Sequence, residues 1–586
     1  MHDLTLSAER LLGFVVTSPN PSPAKRPCTD TDFVHNKIST KEAAAKVDAD
    51  RPLPKLLNAI QHTIENPKKG DAVVYWMRME DMRIIDNRAL ALASAQAKHD
   101  NVPLLVLFII SPQDYIAHDR SPRRIDFTLR NLSNIKSSLA DLHIPLHTVV
   151  HTPRRTLPSS VLFLLKAWNA TRLFANIEYE VDELRRDICI HNLARAQGVL
   201  PRFVHDKLVI EPDTLETKTG KPFTVFSPFQ RQWIAALNSN THKFLDEAPA
   251  PSANHDSIHE HPKYGQLFDT PVPESVEGFE CADRDKMREV WPAGHDAVKQ
   301  MLDLFLHTMS RESHVGLSDP LADGAKRSDK KSRALAYKED RDRADRNTTS
   351  RLSPYLAAGV ISARELVKAS MEFLGVKKVQ ADRESGIGVW VQEIAWRDFY
   401  THVMAAFPRV SMGRPFQEKF ASVKWETNEE HFKAWQDGRT GVPIVDAAMR
   451  QAKTMGWMHN RSRMIAAMFL TKDLMLDWRL GERHFMQQFI DGDLASNNGG
   501  WQWSASTGTD PQPYFRIFNP YLQSEKADPT GEYIRTFVPE LKDVRGKDIH
   551  HPPAKLADKL GYPRPLVDHA ESRERALRRY KNPGEE

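Results

Sequence analysis

Four segments of this chain gather side chains able to do chemistry. In Trp390-Val391-Gln392-Glu393-Ile394-Ala395-Trp396-Arg397-Asp398-Phe399-Tyr400, helical spacing puts Glu393, Trp396, Arg397 and Tyr400 on one face. A carboxylate, an indole, a guanidinium and a phenol together can stack on and hydrogen-bond a nucleobase; an aromatic face between domains is the plainer use. In Thr349-Ser350-Arg351-Leu352-Ser353-Pro354, Ser353 reads as an N-cap and Pro354 as the first helical residue. Hydroxyls and free N–H groups there suit a pyrophosphate, or simply cap a helix. Residues 456–464 place Asn460, Arg463 and Met464 on one helical face and send Arg461 elsewhere, so one arginine can meet a phosphate while the other pairs internally; His459 reads as structural. Residues 491–503 are dense in Asp, Asn and Gly. Their carboxylates can pair with arginine or bond the edge of a heterocycle, unless the stretch is only a capped connection between helices.

The elements that must position these groups follow from periodicity. A chain of 586 residues exceeds one core, so at least two domains are expected. Residues 1–70, rich in Pro, Ser and charge, read as a flexible extension. Between 71 and 206, short apolar runs alternate with helical spacing, which predicts a doubly wound parallel-sheet (Rossmann-like) α/β domain. Residues 207–285 read as a connection, 286–542 as an all-α domain, and 543–586 as a charged, solvated tail. Eight of the 12 tryptophans (Trp390, Trp396, Trp425, Trp435, Trp457, Trp478, Trp501, Trp503) fall in the helical part, so an aromatic core or site lies there.

Bulk properties exclude several classes. A net charge of +4 and a pI near 8.7 permit a nucleic-acid partner only through a local patch. Cys28, Cys189 and Cys281 are too scattered for a metal site or disulfide framework, and no apolar run spans a bilayer, so a soluble intracellular protein is expected. Gly220-Lys221-Pro222 is no phosphate loop, Gly386-Ile387-Gly388 no dinucleotide fingerprint, and His569-Ala570-Glu571 no zinc deaminase signature.

Taken together, the four segments resemble the photolyase/cryptochrome family. The likeness runs from about residue 72 to 542 and is densest over 390–520; within it, 457–461 and 491–503 are highly specific. It is nearest the class I, fungal and folate-using branch that repairs cyclobutane pyrimidine dimers. The resemblance implies FAD in the helical domain. Tyr337, Thr349, Ser350, Arg351, Leu352 and Ser353 would hold its phosphate side, Trp390 and Gln392 would line the pocket, and Arg463 and Asp491 would pair beside the ring. Gly492 would shape the same loop, Asp493 would contact the ring edge and Asn497 would face N5. Glu393 and Asn460 would hydrogen-bond a flipped-out dimer, Trp396 and Trp503 would flank it and Met464 would touch it. Arg341, Arg397, Tyr400, Arg461, Arg516 and Gln523, with Glu393, Trp396 and Asn460, would meet damaged DNA. Trp425, Trp478 and Trp501 match the family's electron relay.

The branch repairing six-four photoproducts carries histidines at the positions of Asn460 and Met464, and several receptor branches carry Asp or Cys at that of Asn497, so the resemblance favours a carbon–carbon lyase acting on dimers. A signalling cryptochrome, with or without repair, is the alternative. Asp182 and Glu183 match the segment that binds a methenyltetrahydrofolate antenna. Asp182 stands for the usual Asn, however, and Ser411-Met412-Gly413 departs from the folate pattern, so a deazaflavin stays open. A monomer is expected, in the nucleus on the hint of Lys25-Arg26, with a mitochondrial pool as a second location.

Overall fold

In the sheet part, the residues of each strand divide between two cores. In β1 (Ala72–Met77), Val73, Tyr75 and Met77 join one core, while Ala72, Val74 and Trp76 join the other. In β2 (Leu104–Ile110) the same alternation separates Leu104, Val106, Phe108 and Ile110 from Leu105, Leu107 and Ile109. A strand covered on both faces has no polar side, hence the unbroken apolar runs. With β3 (Leu146–Val150), β4 (Ala170–Asn176) and β5 (Leu200–Val204), they form a five-stranded parallel sheet in the order β3-β2-β1-β4-β5. That is the doubly wound arrangement, whose order reverses between β1 and β4. The computed structural model describes residues 38–61, 68–311, 319–328 and 330–584.

The core on one sheet face runs on without a break into the helical part. Buried arginines fasten the two. Arg124, on the helix Pro122–Ala140 beside the sheet, donates to the carbonyls of Pro354, Ala357 and Ile490. Arg364 lies between Asp86 and Asp206, at 3.0 and 2.8 Å. Gly359 packs so close to the Glu80 backbone that a Cβ would lie 1.7 Å from the Glu80 carbonyl oxygen, and its φ of +68° suits glycine.

Three segments differ from the sequence expectation. Residues 41–61 do not extend freely: the helices Lys41–Ala49 and Pro52–Gln61 fold there, and Leu53 and Leu56 are fully buried. Residues 1–37 and 62–67, with Lys25-Arg26, lie outside the described residues. The connection contains the helix Phe226–Ser239, whose Trp233 donates from Nε1 to the buried Asp398 at 3.0 Å. The charged end is no solvated tail: the helix His569–Lys581 docks through His569 to Asp473 and Arg579 to Glu426, with Tyr580 buried. Its apolar contacts are too few to read as an amphipathic pattern.

Candidate active site

The helix Gly386–Ala406 carries the first wall. Ser385 caps it, accepting from the Gly388 N–H at 3.0 Å. Trp390 is buried and donates from Nε1 to the Ser350 hydroxyl at 3.3 Å; its ring, like that of Tyr337, packs on Phe305. Gln392 donates to the Asp382 carbonyl at 2.7 Å. Beside this wall Arg351 holds a left-handed φ of +55° and lies 4% exposed. Its guanidinium sits 4.6 Å over the Trp291 ring and 5.9 Å over that of Trp457. Among the described residues none of its three nitrogens has a hydrogen-bond partner. Burial pulls its pKa down to about 10. A desolvated, unpaired cation is costly unless something anionic meets it.

Thr349 and Ser350 flank Arg351, half-buried, and Leu352 is buried. Ser353 is not the cap expected from the sequence. It occupies the first position of the helix Ser353–Ala358, after Leu352, with Pro354 next. Its hydroxyl instead donates to Asp491 at 2.7 Å and accepts from the Trp457 Nε1 at 3.1 Å.

The Arg463–Asp491 pair forms as expected. His459 opens the helix Asn460–Met468, and Arg463 then reaches Asp491 at 2.7 Å, with its Nε on the Met458 carbonyl. The second Asp491 oxygen, Oδ1, has no partner among the described residues. Arg120 donates to the Gly492 carbonyl at 3.2 Å. Asp493 departs from expectation. One carboxylate oxygen accepts from Lys207 at 2.8 Å, and the other caps the helix Leu494–Ser504 through Ser496. Lys207 also pairs with Glu80, so it bridges the loop after β1 to the Asp493 loop. Burial works against Asp493's charge, but Lys207 outweighs it and holds the carboxyl far below the carboxylate range. Asn497 donates from Nδ2 to the Glu482 carbonyl at 2.9 Å.

The outer wall is half-open. Glu393 accepts from Arg341 at 2.6 Å, with the two side chains 35% and 40% exposed. Trp396 stacks on Phe226 with ring centroids 3.6 Å apart, so one indole face is covered; Tyr400 lies 5.5 Å on another side. Asn460 is exposed, 4.0 Å from the Met464 sulfur, and Arg461 reaches Asp342 at 2.5 Å. Trp503 and Gln523 are half-buried and Arg516 is exposed. The Arg397 guanidinium donates to the carbonyls of Lys207 and Leu356, at 2.8 and 3.4 Å, a contact between sheet and helices that its helical face did not announce. Helical spacing assigns a face but not the neighbour that occupies it.

The three tryptophans of the expected relay differ in burial and surroundings. Trp501 packs on Phe485, centroids 4.9 Å apart. A Cβ at position 481 would lie 2.0 Å from its ring, so Gly481 lets the indole lie against the helix Trp478–Gln488. Trp478, at the start of that helix, is fully buried under the Arg479 guanidinium, and Trp425 is half-buried beside Tyr580.

Beyond β4, Asp182 pairs with Arg154 at 3.1 Å and Glu183 with His118 at 2.9 Å. Burial pushes the Glu183 carboxyl up, yet His118 outweighs it and holds it below its ordinary value. Burial raises that of Glu180 to about 7. Lys207 and Arg120, central to this geometry, gave no signal in the sequence because their partners lie hundreds of positions away.

Comparison with known proteins supplies the frame. The pattern described as the FAD binding domain of DNA photolyase matches residues 390–582, and that described as DNA photolyase matches residues 73–252. The Neurospora crassa deoxyribodipyrimidine photo-lyase is 41% identical, covering 94% of this chain and 88% of that protein. The crystal structure of a class III photolyase from Agrobacterium tumefaciens superposes with a TM-score of 0.69 at 31% identity, covering 89% of this chain and 99% of the other. An archaeal photolyase from Sulfolobus tokodaii, solved with two FAD molecules and described as implying a novel light-harvesting cofactor, superposes at 0.65 with 26% identity, covering 87% and 100%.

Proposed function

We infer from this chain's membership of the DNA photolyase family that it is a light-driven DNA-repair lyase of the deoxyribodipyrimidine photo-lyase type, splitting cyclobutane pyrimidine dimers. The observation that carries the reading is the contrast of polar groups in one pocket. Arg351 and Asp491 Oδ1 are buried without partners among the described residues, while Arg463, Ser353 and Trp457 fix the rest of the wall. These residues fit FAD: Arg351 would meet its phosphates, and Asp491 with Arg463 would hold its ring. When bound and reduced, FAD supplies on excitation the electron that opens the cyclobutane ring and takes it back.

The protein's own part is recognition and exclusion. A dimer flipped from the duplex, whose pairing is already weakened, would present its carbonyl and amide edge to Glu393 and Asn460. Trp396, covered on one face by Phe226, would offer its remaining surface opposite Trp503, each stack contributing roughly 1–3 kcal/mol. Met464, next to Asn460, would touch the dimer's apolar surface. Arg341 and Arg461 are held by Glu393 and Asp342, and DNA phosphates would compete for them, with Arg516 and Gln523 completing the backbone contacts. Trp501, Trp478 and Trp425 would return electrons from the surface to an oxidised cofactor.

We assign methenyltetrahydrofolate as the antenna beside Glu183, on the Tyr179-Glu180-Val181-Asp182-Glu183 segment; the absorption spectrum of the purified protein separates it from a deazaflavin or a second FAD. The enzyme acts as a monomer in the nucleus and mitochondrion on this reading. The test is a repair assay: FAD-loaded, reduced protein is mixed with ultraviolet-treated DNA under blue light. Loss of dimers in light and not in darkness is expected. Intact dimers in both, with flavin bound, would return the chain to a signalling role.

A further inference from the structure

Arg351 has a second unpaired guanidinium for company. Arg333 lies four residues before Tyr337, outside the residues that the family resemblance implies for FAD. Its backbone is tied down on two sides. The Arg333 N–H donates to the Thr308 carbonyl at 2.8 Å and the Ala334 N–H to the Phe305 carbonyl at 3.2 Å, at the end of the helix His295–His307. From the other side the helix Gly386–Ala406 presses in: a Cβ at position 386 would lie 2.1 Å from the Leu335 carbonyl oxygen and 2.4 Å from that of Ala334. Segment 333–335 is thus held between two helices that wall the pocket. The Arg333 guanidinium carbon lies 5.9 Å from the centroid of Phe305, the buried ring on which Tyr337 and Trp390 also pack. Its Nε is buried and has no hydrogen-bond partner among the described residues. Burial, with the Arg351 and Arg311 guanidiniums adding to it, pulls its pKa down to about 10. Arg311 itself donates to the carbonyls of Ala322 and Asp323. Among the described residues no carboxylate acts on Arg333 or on Arg351. Two desolvated cations placed together repel each other, so the arrangement suits an anion with more than one charge.

We propose that Arg333 is a second cation of the FAD pyrophosphate site, acting together with Arg351. The inference rests on the cofactor reading above. A pyrophosphate within FAD carries two negative charges, and one guanidinium offsets only one of them. Arg333 supplies the other positive charge, and its free Nε with a neighbouring terminal nitrogen makes the two-pronged donor that suits a phosphate. With the cofactor bound the charges balance and both guanidiniums gain partners. Without it the two cations face each other unrelieved, so Arg333 contributes to affinity and not to the stability of the empty protein.

The test uses the full chain stripped of flavin and titrated calorimetrically with FAD and, separately, with riboflavin, which has the ring system and no phosphate. Arg333→Met keeps an apolar stem and removes the charge. It should bind FAD about tenfold more weakly, roughly 1.4 kcal/mol, and riboflavin as tightly as the native protein does. The flavin-free variant should melt at or above the native midpoint. Arg333→Lys keeps the charge without the fork, and its FAD affinity should fall between those of Arg333→Met and the native protein. Unchanged FAD affinity in Arg333→Met overturns the proposal. So does an equal loss for FAD and riboflavin, which a residue that only shapes the fold would give. Weaker binding of ultraviolet-treated DNA with FAD affinity intact would assign the guanidinium to the nucleic-acid backbone and overturn it as well. If the native chain takes up neither FAD nor riboflavin, the cofactor reading fails and this inference falls with it, whereas FAD binding that ignores Arg333 sinks the inference alone.

Discussion

The join between sheet and helices and the pocket inside the helices are both lined with buried arginine, and they treat it in opposite ways. At the join each buried guanidinium has polar partners: Arg364 has Asp86 and Asp206, Arg83 has Asp206, and Arg124 reaches four carbonyls through its two terminal nitrogens, leaving only its Nε without a partner among the described residues. In the pocket Arg351 has aromatic rings for neighbours and no hydrogen bond among the described residues. Paired charges fasten the two halves and fix register. An unpaired one stores a cost that only a ligand can relieve, so the second region is built for binding and the first for holding the binder in shape.

The comparison can be broken most forcefully at the join. Arg364→Met takes from Asp86 its paired cation, leaving the Ser362 hydroxyl and the Ala248 N–H, and leaves Asp206 with Arg83 and the Arg88 N–H, so it should cost about 3–5 kcal/mol of stability, read as a lowered thermal midpoint. A midpoint unchanged within error would mean that the join is not held by its charges. Gly481→Ala tests the walls of the relay. Its methyl would meet the Trp501 ring at 2.0 Å, so overpacking should cost about 1–3 kcal/mol, and the quenching of flavin fluorescence by Trp501 should weaken. Equal quenching would place that indole elsewhere. The smallest effect is expected at the half-open wall. Glu393→Gln keeps the shape but not the charge, and should weaken dimer-containing DNA by about 1 kcal/mol in a binding titration while flavin affinity stays level. A fall in flavin affinity would move Glu393 from the lesion side to the cofactor side.

The sheet was legible because strands buried on both faces announce themselves as apolar runs, and β1 and β2 both do. The inner pocket was legible through motif and resemblance, and Arg463–Asp491 meet as those implied. What stayed hidden depends on neighbours far away in sequence. Asp493 looks free in its loop, yet Lys207, 286 positions earlier, claims it. Arg397 shares a helical face with Trp396, but the segment around Lys207 lies over that face and takes the guanidinium. The terminal helix was hidden for another reason: its buried positions Ser572, Ala576 and Tyr580 recur at helical spacing, but a serine and an alanine among many charged residues give a faint apolar signal, and Arg575 and Arg579 find their partners in distant segments.

The central claim, that an unpaired buried cation marks the cofactor pocket, is tested most directly by measuring Arg351→Met twice: thermal unfolding without flavin, and calorimetric titration with FAD. The apoprotein variant should melt at or above the native midpoint, because a stranded charge is gone, while FAD should bind about ten- to a hundredfold more weakly, the equivalent of roughly 1.5–3 kcal/mol for a charge-assisted hydrogen bond. A variant that melts earlier and binds FAD as tightly as the native protein would show that Arg351 holds the fold and that the pocket's polarity has another cause.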